Sequence, residues 1–246
     1  MPISENFTSI LIKEFEINFM QCTPSGFLKY VELCNMLQII AAEHSAIGGI
    51  SFIDMQKFNL AWVLSRMRVE ADEMPKWRDT ITIKTWICTL ENSRSVRAFD
   101  IYLNNKKIIG CETFWAVFNT KTRRPESLSL PHEHFEKFPD NRSTKTQFSK
   151  IAIPENSQNT FEKTVYLSDL DIVNHVNNVK YLEWCLDLVD ADLVLKNKIN
   201  SFEMNFMKEL SRNDQVKISS FRENSTLKFA IFKDEKISFA LQLNFD

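Results

Sequence analysis

The chain has 246 residues, a net charge of -2, and 44% hydrophobic against 25% charged residues. That is enough apolar material for a core, in one large domain or two ordinary ones. The near-zero charge speaks against broad electrostatic binding of nucleic acid, and a total of four glycines argues against a phosphate-cradling loop.

Alternation begins with Phe15, Ile17 and Phe19, which read as one face of a short strand. A run from Leu28 to about His44 follows, in which Leu33, Cys34, Met36, Leu37, Ile39, Ile40, Ala41 and Ala42 are apolar on nearly every side. Such a helix is expected to be wrapped by other elements. Residues 58–70 read as a long strand with Val63, Met67 and Val69 on one side and Trp62, Leu64, Arg66 and Arg68 on the other. Residues 80–90 alternate through Ile81, Ile83, Thr85 and Ile87. Residues 95–103 and 107–118 form a hairpin about the turn dipeptide Asn104-Asn105.

Residues 125–160 are rich in Pro, Ser, Asn and charge and read as a linker, longer than most connections inside a domain. Beyond it the plan repeats. A strand at 161–167 is followed by a loop and a helix carrying Tyr181, Leu182, Cys185, Leu188 and Val189 on one face. Strands near 201–210, 215–221, 226–233 and 236–244 complete the half. Each half is strand, buried helix and about four more strands, an α+β arrangement in which an antiparallel sheet wraps its helix.

Reactive groups concentrate at Ser168 to Asn178, between the strand and helix of the second half. Asn177 or Asn178 is placed to cap the helix. Backbone N–H groups at its start would share a space with Asp171 and His175 and could hold a carbonyl oxygen gaining charge. Setting Gly26 against Asn174 aligns the two halves. Thr23 then falls opposite Asp171 and Phe27 opposite His175, so the expectation is chemistry in the second half and supporting walls in the first.

These segments resemble the plant and bacterial acyl-carrier-protein (ACP) thioesterases, whose second-half motif reads Ser-Asp-Leu-Asp-x-Asn-x-His-Val-Asn-Asn-Val-Lys-Tyr. Here it reads Ser168-Asp169-Leu170-Asp171-Ile172-Val173-Asn174-His175-Val176-Asn177-Asn178-Val179-Lys180-Tyr181. Residues Pro75 to Thr80, Phe118 to Arg124, and Met207-Lys208-Glu209 with the polar run after it resemble further family segments. The resemblance implies two tandem hotdog domains: 1–124, with the acyl pocket and a degenerate site, and 161–246, with the catalytic one. It implies hydrolysis of fatty acyl-ACP with a site of Asp171, His175 and Glu209. Val173 stands at the family's Asn position, with Asn174 one step later. The implied partners are the carrier protein and its acyl chain, in a monomer or homodimer with no cofactor and no metal. An acyl-CoA thioesterase and a non-catalytic acyl-binding protein are the alternative readings.

Other polar residues read more plainly. Cys22, Cys34, Cys88, Cys111 and Cys185 are far apart and odd in number, so they read as buried thiols of a reducing compartment, with Cys185 a poor nucleophile. His44 is expected to act on the negative end of its helix, and His132 and His134 to be solvated loop residues. Trp62, Phe99, Phe114 and Trp115 read as core more than as tunnel lining. Arg66, Arg68, Arg94, Arg97, Lys121, Arg123 and Arg124 could together dock an acidic carrier. Residues 1–10 lack the pattern of a signal peptide, and no stretch reaches the roughly 20 apolar residues of a membrane helix. The expected location is the cytoplasm.

Overall fold

The computed structural model describes residues 3–155 and 159–245. Residues 156–158 of the expected linker lie outside that description. The strands are β1 Ile10–Glu16, β2 Leu60–Ala71, β3 Thr80–Glu91, β4 Arg94–Leu103, β5 Lys106–Asn119, β6 Arg124–Pro125, β7 Asn159–Thr164, β8 Ile199–Phe206, β9 Gln215–Glu223, β10 Thr226–Lys233 and β11 Lys236–Phe245. The helices are α1 Tyr30–Ile47, α2 Phe52–Gln56, α3 Asn178–Leu186 and α4 Ala191–Leu195. The short helices α2 and α4 have no counterpart in the sequence reading. Each is about a turn and a half long, below what periodicity can register.

The strands form one antiparallel sheet in the order β1-β3-β4-β5-β2-β8-β11-β10-β9-β7, with β6 added to β5. Read outward from the β2–β8 seam, the halves are identical: β2, β5, β4, β3, β1 on one side and β8, β11, β10, β9, β7 on the other. The seam runs antiparallel from Arg66↔Asn205 to Glu70↔Ser201. Each half thus closes the other's edge strand, which would otherwise expose unpaired backbone groups. A single apolar core spans both halves and takes Leu33, Leu37 and Ile40 from α1 together with Leu182 and Cys185 from α3. Polar contacts also cross between halves. The Tyr30 hydroxyl donates to the Ile199 carbonyl at 3.1 Å, and Asn178 Nδ2 donates to Gln38 Oε1 at 3.1 Å.

Three sequence expectations are corrected. β1 stops at Glu16, and Phe19 sits in a 3-10 turn, 71% exposed. Ile17 is buried because its backbone is tied across to Asp79 and Arg78. The helix α1 is not wrapped on every side: Ile39, Ala42 and Ala46 form an exposed stripe. In β2 the alternation breaks at Ser65, where a bulge separates the pairs Leu64↔Trp115 and Arg66↔Phe114. An extra residue inverts the parity of a strand. Met67 and Val69 are buried on one side of the bulge, and Leu60 and Leu64 on the other.

The connection between the halves is packed, not open. Leu128, Leu130 and Phe135 fill a second cluster with Ile50, Met55 and Leu60. Residues 142–151 then cross the sheet strand by strand, met by a polar side chain at each. Asp100 of β4 accepts from the Ser143 hydroxyl at 2.6 Å. Glu112 of β5 accepts from Ser143 N at 2.9 Å and from Arg142 Nε at 3.0 Å. Glu70 of β2 accepts from Lys145 N at 2.7 Å and Thr146 N at 3.1 Å. On β8, Glu203 accepts from Ser149 N, and Asn205 Oδ1 from Ile151 N at 2.9 Å. The strap lies so close to β5 that a Cβ on Gly110 would meet the Ser143 carbonyl oxygen at 2.2 Å.

Candidate active site

The loops before α1 and α3 are built from the same hydrogen bonds. In the first, Thr23 N donates to Phe27 O and Gly26 N to Thr23 O; in the second, Asp171 N donates to His175 O and Asn174 N to Asp171 O. Leu28 N donates to Pro75 O, as Val176 N does to Leu210 O. Gly26 has φ +82° and Asn174 φ +64°, the left-handed region that Gly enters freely and Asn more readily than most residues. The two loops therefore superpose Thr23 on Asp171 and Phe27 on His175. The second backbone bond extends the match to Met74 and Glu209, one residue before Pro75 and Leu210. One copy holds a hydroxyl, a phenyl and a thioether; the other holds two carboxylates and an imidazole.

In the polar copy, His175 Nε2 lies 3.4 Å from Glu209 Oε2, with both side chains about one-third exposed. The same Glu209 oxygen accepts from Arg123 Nη2. Asp171 serves the loop itself: its Oδ1 accepts from Val173 N at 3.0 Å and His175 N at 3.2 Å. That carboxylate fixes the backbone from which His175 projects. Asn177 caps α3 by accepting from Val179 N at 3.1 Å. Behind the loop, buried Asp169 accepts from Trp184 Nε1 at 3.3 Å and Tyr166 N at 2.8 Å, pinning the turn to α3. Tyr181 hydrogen-bonds the Leu210 backbone, and burial pushes its hydroxyl pKa up. Asn174 and Val173 are both exposed on the loop.

The structure brings Asp171, Asn174, His175 and Glu209 into one region and adds Arg123 to it. Arg123 comes from the other half, where the sequence alone suggests a docking residue. Its only local signal was position in the Arg-rich turn that resembles a family segment.

Several other expectations change. Arg68 is buried between Glu70 and Glu203 and is not a docking residue. Arg97 is buried as well, donating to His44 Nδ1 at 2.8 Å and to Thr85 Oγ1 at 3.3 Å. His44 is therefore no cation at a helix end: burial, then the Arg97 charge, lower its pKa to about 3. Cys185 is fully buried, and burial raises its thiol pKa well above the usual value. His134 Nε2 lies 3.0 Å from the Gly48 carbonyl, and His132 Nδ1 lies 2.8 Å from that of Leu130. Phe99 is core, whereas Phe114 faces Phe148 of the strap, ring centroids 5.9 Å apart.

Two antiparallel units, each folded over a central helix and fused through β2 and β8, with a carboxylate–imidazole group in one of them, define a double hotdog protein. Residues 9–136 match the acyl-ACP thioesterase N-terminal domain and residues 153–242 the acyl-ACP thioesterase C-terminal domain. The chain belongs to the acyl-ACP thioesterase family. It is 27% identical over 215 residues to a dodecanoyl-[acyl-carrier-protein] hydrolase of Cinnamomum camphora, covering 80% of this chain and 55% of that one. To oleoyl-acyl carrier protein thioesterase 2 of Arabidopsis thaliana it is 28% identical over 204 residues, covering 75% and 55%. The chain thus spans about half the length of these curated relatives. Among solved structures, an acyl-ACP thioesterase from Bacteroides thetaiotaomicron superposes with a TM-score of 0.88 at 25% identity, covering 97% of this chain and 98% of that one. The 12:0-ACP thioesterase of Umbellularia californica shares the fold, with a TM-score of 0.82 at 20% identity and coverage of 97% and 98%. Among the described residues, no helix is long and apolar enough to cross a membrane.

Proposed function

We propose that the protein hydrolyses the thioester of fatty acyl-ACP, releasing a free fatty acid and the carrier thiol. The observation that carries this is the 3.4 Å pairing of His175 with Glu209, set in the polar copy of a duplicated loop. Glu209, with His175, takes a proton from water as the water oxygen bonds to the thioester carbon. Negative charge gathers on the carbonyl oxygen and is held by backbone and amide groups about the start of α3. The carbon–sulfur bond then breaks, the thiolate leaves, and the proton passes to it. Asp171 keeps the loop in shape for His175 through its two backbone bonds.

Asn174 belongs to the same site by its place between Asp171 and His175, and its left-handed backbone gives it a structural role as well. The apolar first copy, with Phe27 and Met74, belongs to the half we assign to the acyl chain. This divides the chain into 1–124 for binding, 125–160 as connection and 161–246 for catalysis. Lys121 and Arg124 stay exposed and suit an acidic carrier. The described cysteines are free thiols, which fits a cytoplasmic setting.

The test is thiol release from matched acyl-ACP and acyl-CoA substrates. The proposal expects a clearly higher kcat/KM for the carrier-linked substrate. Equal or better use of CoA would assign the enzyme to acyl-CoA, and acyl binding with no turnover of either would make it a binding protein.

A further inference from the structure

Glu209 has two neighbours on one oxygen: His175 from its own half and Arg123 from the other. Arg123 does not reach it by chance of a loose surface chain. The turn that carries it is fixed by Asn119, whose Oδ1 accepts from Lys121 N at 2.8 Å and Thr122 N at 2.9 Å. Arg123 N donates to Asn119 O at 2.9 Å. Asn119 in turn donates through Nδ2 to Glu126 Oε2 at 2.8 Å. Arg123 itself has φ +57°, a left-handed conformation that an arginine adopts at some cost and that the surrounding bonds must enforce. The turn therefore aims a guanidinium from the first half at the carboxylate that meets the His175 imidazole.

We propose that Arg123 is a positioning residue for Glu209: it orients the carboxylate toward His175, so that the first half completes the site of the second. The inference rests on the assignment of Glu209 and His175 as the proton-accepting pair. Few other charges compete at this point. On the loop, Asp171 is occupied by backbone N–H groups. Beyond Leu210, Asp214 is paired with Lys233 at 2.7 Å. The Tyr181 hydroxyl meets the backbone of Leu210, and the neighbouring side chain of Lys208 is exposed.

The experiment separates kcat from KM with a short, uncharged acyl thioester, so that carrier docking plays no part. Wild type, Arg123→Ala, Arg123→Lys and Glu209→Gln are compared. Arg123→Ala is expected to lower kcat about tenfold, a loss on the scale of a misplaced catalytic group. KM should stay within about twofold, because Arg123 holds the carboxylate and not the substrate. Arg123→Lys should restore most of kcat, because it restores the charge while losing the planar fork. Unchanged kcat in Arg123→Ala, while Glu209→Gln is inactive, overturns the role of Arg123 alone. Full activity of Glu209→Gln overturns the underlying assignment. A kcat loss that Lys does not restore, or one matched by an equal change in KM, reduces Arg123 to a structural contact.

Discussion

Gly26 and Asn174 occupy the same point in two copies of one loop, and comparing such points residue by residue shows where the copies differ. The backbone demand is common to both, a left-handed residue two before the helix-entry bond, and either Gly or Asn meets it. The side chains at Thr23/Asp171, Phe27/His175 and Met74/Glu209 are what differ. The first two pairs were legible in the sequence once the loops were aligned on Gly26 and Asn174. The Met74/Glu209 pair was not, because it depends on hydrogen bonds between segments far apart in sequence. His44 shows the opposite failure. A histidine in the last turn of a helix reads as a cation for the helix end; here Arg97 fills the space beside it, and the imidazole accepts from that guanidinium. Its folded pKa is lowered from 6.5 to about 3 by burial and then by Arg97. The unfolded chain therefore binds a proton between these values that the folded chain does not. Stability is full above pH 6.5 and falls as pH drops toward 3. Urea unfolding at pH 7.5 and 4.5 should show this loss in wild type and a smaller one in His44→Gln. Equal losses would mean that other groups carry the acid sensitivity.

Among the elements, the long strands were the most legible, since period-2 alternation over ten or more residues is hard to mistake. β10 and β11 begin where the sequence placed them, and β11 runs one residue longer. The bulge at Ser65 and the one-and-a-half-turn helices were invisible because they break or fall below the period. The packing of the strap is not legible in its sequence, for a physical reason. Its Pro, Ser and Asn content disfavours regular structure, but its backbone groups are satisfied by side chains from the sheet, which no local pattern reveals. Glu112 is the centre of that arrangement. Burial raises its carboxyl pKa, but Arg142 and the N–H groups of Thr144 and Ser143 outweigh this and hold it below the usual range. Glu112→Ala should cost about 3 kcal/mol in urea unfolding, because it strands a guanidinium and two buried donors at once. A change of only a few tenths would show that the strap is held by its apolar residues and that the carboxylate is incidental.

At the scale of the whole molecule, the protein is one duplicated unit whose copies share a sheet and a core. The α+β class and the repeat could be read from the order of elements. The seam could not, because strand alternation says which face is buried but not which edge meets which. Side chains of the two halves meet beside it, Arg123 with Glu209 and Gln38 with Asn178. The copies differ most sharply where His175 and Glu209 of one stand against Phe27 and Met74 of the other. The most direct test is the rate of thiol release from acyl-ACP by wild type, His175→Ala and Phe27→Ala. The account predicts that His175→Ala loses at least about a hundredfold in kcat, the usual scale of general-base catalysis. Phe27→Ala should keep kcat within a few-fold while altering KM or the preferred chain. Full activity in His175→Ala, or an equal collapse of kcat in Phe27→Ala with the fold intact, would contradict the claim that the second copy alone does the chemistry.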